Sequence, residues 1–218
     1  MHMRDVYIVG AGTYGEAMCE LAEVLGYKVR GFYDEDEKKI GEFVMGIEVI
    51  GKFSGLIDVE IQNKQFIVAI GSNSVRYDIM VKINHLGGKT PTLIHPSAVI
   101  SPSADIGNGV YIQANAYIWT KVKVDDFCII SPNVVIAHHS SVGKACLIST
   151  LSGVGASIKI GNKVFVGMGS TIVTGLSIIG ENTIIGAGAV VLKNTDKDSV
   201  YAGVPAKRIR SNIKITES

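Results

Sequence analysis

The chain has 218 residues, room for one large domain or two small ones. Lys and Arg number 21 against 20 Asp and Glu, a net charge of +1, which argues against nucleic acid or an anionic membrane as the main partner. Hydrophobic residues at 47%, charged residues at 19% and a mean hydropathy of +0.30 exclude global disorder.

No apolar run approaches the roughly 18 residues of a membrane span. The opening residues turn polar at Gly12–Glu16, unlike a secretory signal. Cys19, Cys128 and Cys146 are odd in number and lack metal-ligand spacing, so free thiols in a reducing cytoplasm are expected.

In chain order, Val6–Val9 reads as a short apolar strand, followed by Gly10-Ala11-Gly12-Thr13-Tyr14-Gly15. Glu16–Leu25 has a helical pattern, with Met18, Leu21, Ala22 and Leu25 on one side and Gly26 at its end. Lys28–Tyr33 reads as a second strand, ending at Asp34-Glu35-Asp36. Phe66–Ile70 is a third, running into Gly71-Ser72-Asn73. Ser74–His85 is a second helix, with Ser74 as its expected cap. Strand and helix alternate, which predicts a small parallel sheet.

Gly10, Gly12 and Gly15 match G-x-G-x-x-G between a strand and a helix, with Asp34 beyond the next strand. The first glycine permits a tight turn. The second lets backbone approach a phosphate, and the third lets helix pack on strand. The helix N-terminus then offers N–H groups and a positive dipole end to an anion. Asp34 is placed to accept hydrogen bonds from a ribose or base. The ends of the three strands bring Gly71 and Asn73 to the same edge, with Arg76 either on the ligand or in solvent. A complete dinucleotide fold uses two such halves, and only one precedes the change of pattern near Thr90–Ser97. A half-Rossmann domain holding a mononucleotide or nucleotide sugar fits better than one holding NAD.

From Ile94 the pattern changes. Every sixth residue is Ile or Val: Ile94, Ile100, Ile106, Ile112, Ile118, Val124, Ile130 and onward to Val190. Neither helix nor two-faced strand has this period. One short strand plus one tight turn per six residues builds a solenoid of parallel strands. Ile179-Gly180 and Ile185-Gly186 fit a second phase, which predicts a one-residue insertion near Val173–Leu176. The expected division is 1–92 for the α/β domain, 93–193 for the solenoid and 194–218 for a charged tail.

These features together resemble the bacterial nucleotide-sugar acyltransferases of the left-handed β-helix type. That group includes UDP-N-acetylbacillosamine N-acetyltransferases and is related to sialic acid O-acetyltransferases. The resemblance spans nearly the whole chain, through Phe32-Tyr33-Asp34-Glu35, Ala69-Ile70-Gly71-Ser72-Asn73, Leu93-Ile94-His95-Pro96-Ser97-Ala98, the hexapeptides and Gly203-Val204-Pro205-Ala206-Lys207. It implies a left-handed parallel β-helix, a homotrimer, and acetyl-CoA or another acyl-CoA lying between neighbouring solenoids. It also implies that the first domain holds the nucleotide part of an amino sugar and points the sugar at the thioester. Gly10, Gly12, Thr13, Tyr14, Gly15, Asp34, Glu35, Gly71 and Asn73 become the substrate-binding candidates.

Acyl transfer from a thioester needs a base for the nucleophile's proton and a donor for the developing oxyanion. His138 falls where the resembling family carries its base, and an imidazole titrates near neutrality. Two departures stand out. The family has Glu or Asp immediately after the base, where this chain has His139. It has a second His nine places on, against the acyl group, where this chain has Leu147. A backbone N–H near Gly153–Gly155, or a different acyl group, are the readings of that change. The resemblance places Gly167, Met168, Gly186 and Ala187 against CoA, and Lys207 and Arg208 either at its phosphates or in a solvated tail. No metal site is expected. The implied activity is acetyl transfer to the 4-amino group of a UDP- or dTDP-linked 4-amino-4,6-dideoxy sugar for surface glycans. The alternatives are O-acetylation of a sialic acid or another sugar, an NAD-dependent oxidoreductase, and a trimeric scaffold without catalysis.

Overall fold

The computed structural model describes residues 4–56 and 58–212. The chain divides into two compact units, one drawn from the residues up to His95 and one from Pro96 onward.

The first unit is α/β. Strands β1 (Arg4–Val9), β2 (Tyr27–Tyr33), β3 (Phe43–Val44), β4 (Ile47–Gly51) and β5 (Phe66–Val68) form one sheet in the order β3-β4-β2-β1-β5. β4, β2, β1 and β5 are parallel, and β3 turns back antiparallel on β4. The β3–β4 hairpin has no counterpart in the sequence reading. Its strands are too short to show a period. Helix α1 (Thr13–Val24) starts three residues earlier than the apolar pattern suggested, because Gly12 is its N-cap. Its buried side presents Met18, Cys19, Leu21 and Ala22. A short helix, α2 (Asp58–Ile61), precedes β5. Helix α3 (Asn73–His85) has Ser72, not Ser74, at its N-cap position, and the Ser72 side chain makes no cap bond. β1 lies between β2 and β5, so successive connections leave it in opposite directions, the arrangement that opens a crevice at the strands' carboxyl ends.

The second unit is the left-handed β-helix. Its strands form three parallel faces. On the first, Tyr117 pairs with Val99 and Val135, eighteen residues to either side. The second runs through Asp105–Ile106, Lys123–Val124, Ser141–Val142 and Lys159–Ile160. The third includes Tyr111–Ile112, Ile129–Ile130, Leu147–Ile148 and Phe165–Val166. The second residue of each pair points inward. Ile112, Ile118, Ile130, Ile136, Ile148 and Val166 are all 0% exposed. Full burial of such a side chain contributes about 1.5–3 kcal/mol.

The register slips where the sequence predicted. Lys159 pairs with Ile178 and Thr171 with Val190, nineteen residues apart. Beyond the slip Ile179, Ile185 and Val191 are buried, while Ile178, Ile184 and Val190 face outward.

Most corners turn on one residue in the left-handed region, as at Asn133 (φ 59°), His139 (φ 61°), Leu151 (φ 62°) and Ser157 (φ 59°). Such a conformation costs about 1–3 kcal/mol for a residue other than glycine. Its N–H then reaches a carbonyl of the rung below: His139 to Thr120 at 3.0 Å and Ser157 to His138 at 3.0 Å. Small inward residues make a second set of bonds. Ser140 Oγ donates to the Gly155 carbonyl at 2.8 Å and Cys146 Sγ to that of Gly161 at 3.0 Å. Cys19, Cys128 and Cys146 are free and buried.

Rungs stack so closely that a Cβ on Gly143 would lie 2.6 Å from Asn162 Oδ1 and 2.8 Å from the Asn162 backbone nitrogen. Gly143→Ala therefore destabilises the solenoid by about 1–3 kcal/mol, as overpacking does. Denaturant unfolding monitored through Trp119 measures this, and an unchanged midpoint would show that the rungs can part there.

Candidate functional site

The carboxyl ends of β1, β2 and β5 gather Gly10, Asp34 and the Ala69–Gly71 segment at one edge of the first sheet. Gly10 has φ +106°, and a Cβ there would sit 2.8 Å from the Ala69 carbonyl oxygen. A Cβ on Gly15 would collide with the Gly10 carbonyl oxygen. Both glycines are required by the fold. Gly12 is different. Its φ of −104° suits any residue, and a Cβ would meet nothing within 4 Å. Thr13 is exposed beside it, and no side chain caps α1. Open space above an uncapped helix start is what an anionic ligand uses.

The Asp34 carboxylate orders this turn. Oδ2 accepts from the Ala11 N–H and from Lys39 Nζ, both at 2.9 Å, and Oδ1 from the Asp36 N–H at 3.0 Å. Burial pushes its pKa up, but the Asp36 N–H, Lys39 and the Ala11 N–H together outweigh it and hold the carboxyl below the usual range. Lys39 also donates to the Ala11 carbonyl at 3.3 Å, a contact the sequence reading missed. Glu35 is exposed and accepts from Ser54 through both N–H and hydroxyl, at 2.9 and 2.6 Å.

Arg76 is not in solvent. It is 0% exposed, and its guanidinium donates to the Ile70 carbonyl at 3.0 Å and Asn73 Oδ1 at 2.8 Å. It clamps the turn that carries exposed Gly71. Burial raises the Tyr14 hydroxyl's pKa well above its ordinary value, with the Arg76 charge pulling the other way.

On the solenoid, His138 and His139 occupy the corner between the first and second faces. Their Nδ1 atoms are 3.1 Å apart and their rings meet edge to face. Trp119 lies at the same corner one rung below, its ring centroid 6.0 Å from that of His138, and Tyr117 stands 5.4 Å behind Trp119. This aromatic row was missed in sequence. The available signal was the spacing, since Trp119 precedes His138 by one rung and one residue.

Leu147 lies half-buried on the third face. Met168 and Ala187 are exposed one above the other at the corner between the third and first faces, where the Gly188 N–H donates to the Met168 carbonyl at 2.8 Å. Gly167 packs 2.5 Å, measured from a built Cβ, against the Ala187 nitrogen, beside Gly186. His138 and the Met168–Ala187 pair thus sit at opposite edges of the first face. The Gly153 and Gly155 N–H groups are spent in the ladder, on Ser170 and Ile172 carbonyls at 2.9 and 2.8 Å, so they cannot serve as oxyanion donors. Among the described residues no group of three or more His, Cys, Asp or Glu could hold a metal, and no helix is long and apolar enough to cross a membrane.

Comparison with known proteins matches residues 5–83 to the PglD N-terminal domain and residues 103–138 to the bacterial transferase hexapeptide model of six repeats. PerB from Caulobacter crescentus, solved with CoA and GDP-perosamine, is 32% identical over 94% of this chain and 97% of its own, with a TM-score of 0.86. The chain belongs to the hexapeptide-repeat acetyltransferase family. The acetyltransferase domain of PglB from Neisseria gonorrhoeae is 28% identical over 94% of this chain and all of its own (100%), with a TM-score of 0.71. A UDP-N-acetylbacillosamine N-acetyltransferase of Bacillus subtilis is 33% identical over 51% of this chain and 52% of its own length. The chain spans between 24% and 60% of the first curated relatives it matches.

Asp34 is ionised more readily in the folded chain than in the unfolded one. Its bonds therefore contribute stability that is present above the ordinary carboxylate pKa, about 3.9, and is lost as pH falls toward its lowered value. Asp34→Asn lowers the unfolding temperature at neutral pH, and its deficit shrinks below about pH 4. Calorimetry across pH measures both, and a deficit independent of pH would contradict the charge's role.

Proposed function

We propose that this chain is an acetyl-CoA-dependent N-acetyltransferase acting on the 4-amino group of a nucleotide-linked 4-amino-4,6-dideoxy sugar, in the cytoplasm, for surface glycans. The observation that carries the reading is the full-length likeness to PerB, a protein solved with CoA and a nucleotide amino sugar. The site geometry supports it. Gly10, Gly12, Thr13, Tyr14 and Gly15 form a turn open to a diphosphate, with Asp34, Glu35, Gly71 and Asn73 around it.

His138 is the general base. The amine nitrogen attacks the thioester carbonyl carbon, and a proton passes from nitrogen to His138 Nε2 as the C–N bond forms. The C–S bond then breaks, and the imidazolium returns the proton to the leaving thiolate. Gly167, Met168, Gly186 and Ala187 line the path of the pantetheine arm, with Leu147 against the acyl group.

The assembly is a homotrimer. His138 and the Met168–Ala187 corner flank opposite edges of one face, so a thioester held at one copy's corner meets the histidine of the next. That face carries exposed Val99, Tyr117 and Val135 at 57%, 40% and 39%, apolar surface suited to burial between copies. A perosamine N-acetyltransferase from Caulobacter crescentus has also been solved with one histidine replaced by asparagine, in complex with CoA and GDP-perosamine.

Two outcomes test the reading. Thiol release from acetyl-CoA occurs with one of the UDP-, dTDP- or GDP-linked 4-amino-6-deoxy sugars and not with free sialic acid, and His138→Ala lowers kcat by about 10²–10⁴-fold. Gly12→Ala leaves the unfolding temperature unchanged yet raises KM for the nucleotide sugar and not for acetyl-CoA. Release with sialic acid alone would favour O-acetylation instead.

A further inference from the structure

The His138–His139 contact carries a consequence for tautomers. Two Nδ1 atoms at 3.1 Å share a single proton, so one ring donates and the other accepts. If His139 donates, the proton of neutral His138 sits on Nε2, and that nitrogen has no lone pair for the acceptor amine. Only the reverse polarity leaves His138 Nε2 free as a base. Among the described residues no carboxylate makes an ion pair with either imidazole.

We propose that an uncharged pair of positioning residues, His139 and Trp119, sets His138 as the base. The inference rests on the acyl-transfer reading above. His139 accepts the Nδ1–H of His138 and fixes its tautomer. Trp119 sets its indole beside the His138 ring and stabilises the imidazolium formed as the proton arrives. The ring centroids lie 6.0 Å apart at an interplanar angle of 36°, within reach of a cation–π contact. Both partners are held from the backbone. His139 is fixed by its left-handed φ of 61° and its N–H to Thr120, and Trp119 by its N–H to the Ile136 carbonyl at 3.1 Å. The Tyr117 ring packs against the indole with centroids 5.4 Å apart. Here orientation and cation stabilisation are divided between two neutral rings.

The test uses the full chain with ¹⁵N-labelled histidine. Long-range ¹H–¹⁵N spectra of neutral His138 show Nδ1 protonated and Nε2 bare. His139→Phe shifts His138 toward the Nε2–H form and lowers kcat about tenfold, the worth of one hydrogen bond, with both KM values held. His139→Asn, whose amide oxygen accepts and whose backbone tolerates the left-handed region, restores the tautomer and most of kcat. Trp119→Leu lowers kcat about threefold with the tautomer unchanged, and Trp119→Phe recovers part of the loss. An Nε2–H tautomer in the unsubstituted chain, or a tautomer and kcat indifferent to His139→Phe, overturns the assignment to His139. A kcat indifferent to Trp119→Leu overturns the assignment to Trp119. The spectra need no turnover, so the loss of the acyl-transfer reading is distinguishable from the loss of this one.

Discussion

The hydrogen bond that joins a left-handed corner residue to the rung below is the constraint on which the solenoid's chemistry depends. Corners such as those at His139, Leu151 and Ser157 force a residue other than glycine into an unfavourable conformation, and the bond along the stack offsets that cost. The same bond fixes which side chains stand above one another. At the corner between the first and second faces it joins His139 to Thr120 and Ser157 to His138 through their backbones, and His138 stands beside the Trp119 indole. At the next corner along the first face it stacks Met168 under Gly188 and presents an exposed, glycine-rich wall. The placement of the functional groups follows from a fold rule, not from local loop design.

The first unit obeys a different rule. Its site is formed where parallel strands end, and the glycines there have separate causes. Gly10 and Gly15 are required by close approach of backbone to backbone, whereas nothing among the described residues lies within 4 Å of a Cβ at Gly12. Gly12 and the start of α1 form a candidate ligand surface. Asp34 supports that surface by tying Ala11, Asp36 and Lys39 together.

Much of this was legible in sequence because β-helix corners impose a strict period on inward residues. Ile112 through Ile172, the slip after Thr171 and the inward switch to Ile179 are all readable by counting. The β3–β4 hairpin was not, because strands of a few residues at a sheet edge carry no period. Arg76 was not, because a charged residue on a helix ordinarily reads as exposed, and only the fold shows that it clamps the Ile70–Asn73 turn. Lys39 lies five residues beyond Asp34 in a segment without pattern, so its contact with the turn follows from tertiary structure alone. Trp119 was readable only by folding the chain in steps of one rung, which ties it to His138 across a gap where no local motif exists.

On the proposed function, His138 of one copy works on a thioester held at the Met168–Ala187 corner of another. The direct measurement is complementation in mixed assemblies. His138→Ala chains and Ala187→Trp chains, each inactive alone, are co-expressed with different tags and purified as mixed oligomers. Recovered acyl transfer in the mixture is the predicted result, because some interfaces pair an intact histidine with an intact corner. Mixed oligomers that form yet stay as inactive as either parent would show that each site lies within one chain, and would contradict the account.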